Sequence, residues 1–198
     1  MDTTNKTNDI NNDCNLKIEI KGFFKNDISI TDAKVYEVEL KDNLNFNYLS
    51  NIITSLNKLK KNDDKDILIN DFSMKNTYIA RKYLQQNCLI LTKNSLFFDE
   101  NLSVEDNIKV VSYMFTGFDL SQATASSFNI KDVIKTKVKD LSSENKKLLL
   151  LSYCVACPEI IWFVDYKLLE DLSKEGLELF QNAVKIRVKH GGVVFIVK

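Results

Sequence analysis

The amino-acid sequence predicts an α/β domain, with helices packed on a mixed sheet and a small helical subdomain inserted at about residues 100–150. Three observations point there. Short strands of period two in the first third give way to one segment of helical period. The last two strand-like runs, ending at Asp165 and Val197, are each flanked by helical segments. Between about residues 100 and 150 the apolar spacing is helical, broken by a loop rich in serine and threonine.

Taken in order, residues 1–15 are polar, rich in Asn, Thr and Asp, and read as a disordered tail. They have no apolar core and so do not read as a signal peptide. The domain proper is expected over 16–198. Leu16-Lys17-Ile18-Glu19-Ile20 alternates as a half-buried strand, Ile28-Ser29-Ile30 resumes it, and Val35 to Leu40 is a third alternating run. Phe46, Leu49, Ile52, Ile53, Leu56 and Leu59 then fall at helical spacing, with Asn43 or Asn45 able to cap the start. Asp66–Asn70 and Cys88–Leu91 are further short strands. Ser103 is placed to cap a helix carrying Ile108, Val111 and Phe115, with Asp106 favourable in its first turn and Gly117 as its stop. Ser121–Ser127 reads as a loop, and a short helix is expected around Ile130–Thr136. Last come a helix over Lys146–Cys157, a strand over Ile160–Val164 ending in Asp165, another helix, and a final strand from Val193.

The 198 residues suffice for one good core. Lysine plus arginine and aspartate plus glutamate number 27 each, so no global field favours nucleic acid or an anionic membrane as a partner. The most apolar window, Leu148–Val164, falls short of the roughly 20 residues of a spanning helix and contains Pro158 and Glu159. Cys154 and Cys157 have redox-motif spacing but cannot by themselves complete a tetrahedral zinc site. As two small residues ending a core helix they need no chemistry.

A strand, a short polar turn and an amphipathic helix make the local setting of a phosphate-binding loop. Such a loop needs glycines, so that backbone N–H groups approach the anion, then a lysine and a Ser/Thr for Mg²⁺. Over Leu40–Asn47, Asn43 and Asn45 stand at the glycine positions, Phe46 at the lysine and Asn47 at the hydroxyl. Asparagine tolerates left-handed backbone, so a curled loop is open to it, but Phe46 replaces no cation. The competing reading is a plain strand-turn-helix with Phe46 in the core.

From Leu141-Ser142-Ser143-Glu144-Asn145 through the strand ending in Asp165, then Leu172-Ser173-Lys174-Glu175-Gly176 and the last strand, the order of elements resembles an ABC-transporter ATP-binding subunit, a domain of the P-loop NTPase type. Trp162 in the strand, the terse Val138–Ser142 entry and the Leu172–Gly176 run resemble the haem-exporter-like subunit of the cytochrome c maturation system. The resemblance implies ATP and Mg²⁺ as cofactors, with Asp165 as the metal aspartate and Ser142 as the signature serine. It also implies that Tyr166 occupies the place of the catalytic glutamate. Ser143 and Glu144 replace signature glycines, and no glutamine stands near Thr92–Asn94, where the family has one. Phe23 or Phe24 is a candidate for stacking on adenine, with core packing as the alternative. The switch histidine would follow the last strand, which here reaches Lys198; His190 precedes that strand and reads as a turn residue.

Implied partners are an integral membrane subunit, docked at about Thr92–Phe115 with Leu96 and Phe97 as test positions, and a second ATP-binding subunit in a homo- or heterodimer. The implied location is cytoplasmic, peripheral on the inner face of the cell membrane. The expectation is a motor subunit of haem export and cytochrome c biogenesis with impaired hydrolysis. The alternative is a non-catalytic scaffold or regulatory subunit of another ABC complex.

Overall fold

The structure, a computed structural model, describes residues 16–54, 57–92, 98–116, 119–156, 159–170 and 172–198, with 115–116 and 153–156 described by backbone alone. The polar stretch 1–15 lies outside them, as do Leu56, Leu96, Phe97, Gly117, Cys157 and Pro158.

The two senses of strand pairing segregate into two four-stranded sheets. β1 (Ile18–Lys21) pairs antiparallel with β2 (Ile28–Ile30) and with β4 (Asp66–Ile69), and β4 with β5 (Phe72–Ser73). Ile18 and Ile20 face inward while Glu19 faces out, as period two requires. The β4–β5 turn holds Asn70 and Asp71 at φ 47° and 67°, the left-handed geometry of a tight hairpin.

The second sheet is parallel, in the order β3 (Val35–Val38), β8 (Val193–Val197), β7 (Ile161–Asp165), β6 (Cys88–Leu91). Its central strands are buried on both faces, which is why β7 and β8 read as continuous apolar runs. Alternation then divides the core. Ile161, Phe163, Val193, Phe195 and Val197 face the antiparallel sheet with α1 (Phe46–Ile53) and α2 (Tyr78–Asn87). Trp162, Val164, Val194, Leu89 and Leu91 face the other way. They pack against α3 (Val104–Thr116), α4 (Ser121–Ser127), α5 (Ser143–Ala156) and α7 (Lys174–Lys189).

Several elements differ from the sequence reading. Helix α1 stops at Ile53, where the Thr54 hydroxyl turns back to the Ser50 carbonyl at 2.9 Å, so buried Leu59 belongs to a coil. Ser121–Ser127 is helical, because small residues let Ser121, Thr124 and Ala125 bury one narrow face. The helix expected at Ile130–Thr136 is a 3-10 turn, Lys131–Val133. β5, α2 and α6 (Tyr166–Glu170) were not anticipated. α2 escapes periodicity analysis because only Ala80 and Leu84 are buried while Tyr78 and Ile79 face solvent. His190 caps the C-terminus of α7, and Gly191, at φ 82°, supplies the left-handed residue that ends it.

Candidate functional site

Parallel pairing brings the C-terminal ends of β3, β8 and β7 into one row: Val38 is opposite Val197, and Val197 opposite Asp165. The loop between β3 and α1 therefore leaves the sheet edge at which Asp165 ends β7. Crevices at this edge of an open α/β sheet are where such folds bind ligands. Lys198 ties the edge together. Its N–H donates to the Val38 carbonyl at 2.8 Å, its carbonyl accepts from Leu40 at 3.0 Å, and its ammonium donates to Glu37 Oε2 at 2.6 Å. The same ammonium lies 5.0 Å from the centre of the Tyr166 ring. The Glu37 carboxylate raises the pKa of Lys198, keeping it a cation.

Each expected site residue has a definite place. Asn45 has an extended backbone, φ −131° and ψ 164°, and is the N-cap of α1. Its Oδ1 accepts from the Tyr48 N–H at 2.8 Å, and its carbonyl from the same N–H at 3.1 Å. Asn43 sits in the turn closed by the Leu44 N–H on the Lys41 carbonyl at 2.8 Å. None of residues 40–47 has a positive φ, so the curled loop open to asparagine is not the one adopted. Phe46 is buried in the core beside Leu49 and Ile53, and Asn47 is exposed on the first turn. Asp165 Oδ1 accepts from the Lys167 N–H at 3.0 Å, and Tyr166 opens α6. Among the described residues no three acidic, Cys or His side chains group as a metal site, so Asp165 lacks the company that would hold an ion by protein ligands alone.

Ser142 stands in a different neighbourhood. Its hydroxyl accepts from the Asn145 N–H at 3.1 Å and starts α5. Two residues on, Glu144 Oε1 accepts from the Ser173 hydroxyl at 2.6 Å and from its N–H at 3.2 Å, while Ser173 Oγ caps α7 through the Gly176 N–H at 3.0 Å. The signature-like run is thus joined to the run after β7 by a polar relay between two helix starts.

Phe23 and Phe24 are both core residues, which corrects their candidacy as adenine platforms. Phe23 lies against Tyr48 at 6.3 Å, and Phe24 stacks on Phe195 at 6.4 Å. A cleft of about 410 Å³ does open beside them, between Phe24–Asn26 and Tyr36–Glu39. Sequence reasoning missed Glu37 and Lys198 as edge residues. They lie 161 positions apart, and only the β3–β8 pairing shows that they meet.

The fold defined by this edge, its two sheets and its helical lobe is that of an ABC ATP-binding domain. A solved Pyrococcus furiosus protein assigned to the ABC transporters as an ATP-binding protein superposes with a TM-score of 0.67 at 16% identity, covering 92% of this chain and 90% of that one. In sequence, the chain is similar to the cytochrome c biogenesis ATP-binding export protein CcmA of Rickettsia bellii, 26% identical over 171 residues, 82% of this chain and 86% of that protein. The protein of the same name from Rickettsia felis is 26% identical over 95 residues, 48% of each. No protein-family model matches. The chain is therefore similar in fold to an ABC ATP-binding protein and in sequence to CcmA.

Proposed function

We propose that the chain is the ATP-binding-type subunit of a membrane ABC complex in cytochrome c biogenesis and haem export, with its own grip on ATP and its hydrolysis weak or lost. It would sit peripherally on the inner face of the cell membrane, paired with a second ATP-binding subunit and docked on an integral membrane subunit. Among the described residues no helix is long and apolar enough to cross a membrane, in keeping with a docked role.

The observation that carries the chemical half is the start of α1. A magnesium–triphosphate group fits it poorly. The Tyr48 amide that could face a phosphate is already taken by Asn45 Oδ1, and Phe46 lies in the core where a cation is needed. A charge-assisted hydrogen bond contributes about 1.5–3 kcal/mol, so two missing ones weaken binding roughly a hundredfold to ten-thousandfold. Tyr166 in place of a carboxylate base would lower the hydrolysis rate by about 10²–10⁴.

Docking is supported by an unpartnered apolar strip on α3, where Val110, Tyr113 and Met114 are 52%, 55% and 73% exposed at i, i+3 and i+4. The loop expected to share this role, Leu96 and Phe97, lies outside the described residues.

Thermal unfolding with and without about 1 mM Mg-ATP tests the reading. A ligand present at 100 times its Kd stabilises by about 2.7 kcal/mol, several degrees for a domain of this size. The expected rise is about 1 °C or less. A rise of roughly 5 °C or more would overturn it.

A further inference from the structure

The junction of β5 and α2 carries a second apolar patch of different character. Phe72, Tyr78 and Ile79 are 46%, 70% and 59% exposed. Phe72 pairs with buried Ile69 across β4–β5, which puts it on the face of the sheet that α2 covers. Tyr78 and Ile79 begin α2. A rigid turn joins the two elements: the Thr77 N–H and hydroxyl both donate to the Ser73 carbonyl at 3.0 Å, and Arg81 Nε donates to the Met74 carbonyl at 2.7 Å. The three residues thus flank one hydrogen-bonded turn, a knuckle spanning 72–79.

The rim is basic. Lys82 is exposed one helical turn beyond Tyr78 and Ile79. Lys75 Nζ donates to the Asp63 carbonyl at 2.5 Å, which brings the turn bearing exposed Lys60 and Lys61 alongside. Two nearby acids are paired with cations, Asp64 with Lys65 at 3.0 Å and Asp71 with Lys17 at 2.7 Å, while Asp63 and Asp66 keep their charge on neutral donors, the Lys60 N–H at 2.6 Å and the Ser73 hydroxyl at 2.5 Å. Residues 58–82 hold seven Lys or Arg against four Asp, in a chain whose total charge is zero.

We propose that this knuckle is a contact surface for an anionic lipid bilayer. Tyrosine beside phenylalanine and isoleucine suits the headgroup boundary, where the ring enters apolar material and the hydroxyl stays wet. Lysines with long apolar stems can lie along that boundary and reach phosphates. A protein partner is the less apt occupant, because protein interfaces are depleted in lysine. The α3 strip differs in charge: its Lys109 is paired with Glu105 and Asp119, and Asp106 lies close by, so it offers an anionic bilayer no basic rim. The contact is independent of nucleotide binding and of docking on a membrane subunit.

Sedimentation of the full chain with phosphatidylcholine vesicles, with and without phosphatidylserine, tests it. Binding should appear with the anionic vesicles and fall with added salt. Tyr78→Ser/Ile79→Ser and Lys82→Glu, all at exposed positions that should keep the wild-type melting point, should each reduce bound protein at least ~10-fold. Absence of binding to the anionic vesicles, equal binding to neutral ones, or full retention by both variants would overturn it.

Discussion

Glu144 Oε1 accepts both the hydroxyl and the backbone N–H of Ser173, at 2.6 and 3.2 Å, and so couples the start of α5 to the start of α7. Where the resemblance leads one to expect glycines, the chain has an acceptor serving its own helix cap. Ser173→Ala removes both that partner and the cap on Gly176, and should cost about 1–2 kcal/mol in urea unfolding. In a double-mutant cycle, Glu144→Ala and Ser173→Ala should fall short of additivity by about 0.5 kcal/mol or more. Strict additivity would show the relay to be idle.

Stability should fall in acid for an identifiable reason. The ammonium of Lys17 at 2.7 Å, then that of Lys21 at 2.9 Å, holds the Glu19 carboxyl down to about 2 from its ordinary 4.5. Glu105, between Lys135 and Lys109, and Glu39, beside Lys25, are shifted the same way. Between these values the unfolded chain binds more protons than the folded one. The stabilisation is therefore complete above about pH 4.5 and is lost as pH falls toward about 2. Urea midpoints over that window should show Glu19→Gln with a shallower acid slope than the parent.

Burial, then the charge of Glu159, pushes the Cys88 thiol well above its ordinary pKa. Native protein treated with iodoacetamide near pH 8 should leave Cys88 unmodified in peptide mass spectra, and urea should expose it. Rapid native labelling would mean the β6 edge opens. The same experiment decides the redox reading of Cys154 and Cys157, whose side chains lie outside the described residues.

If the α3 strip docks on a membrane subunit, Tyr113→Glu with Met114→Glu should abolish co-purification with whichever integral membrane protein the parent chain retains from solubilised membranes. The isolated protein should keep its melting point, because both side chains are more than half exposed. Unchanged recovery would move the docking surface elsewhere.

How much of this was legible beforehand follows from how local each signal is. Alternation at Ile18 and Ile20, the apolar runs of β7 and β8, and the cap at Ser103 depend on a few neighbours, so they survive in the sequence. α4 did not, because six small residues and Gln122 carry no apolar period until α3 and α5 close over them. The Lys198–Glu37–Tyr166 contact was invisible for the opposite reason: three strands must pair before those side chains meet. Asn45 was legible as a cap, but the backbone conformation of its loop was not.

Equilibrium titration with fluorescent ATP and Mg²⁺, on the parent chain and on Asn45→Gly/Phe46→Lys/Asn47→Thr, probes the central claim most directly. The parent should show no saturation below about millimolar nucleotide, and binding should tighten by at least ~10-fold once the glycine, cation and hydroxyl are supplied. Micromolar affinity in the parent would contradict it.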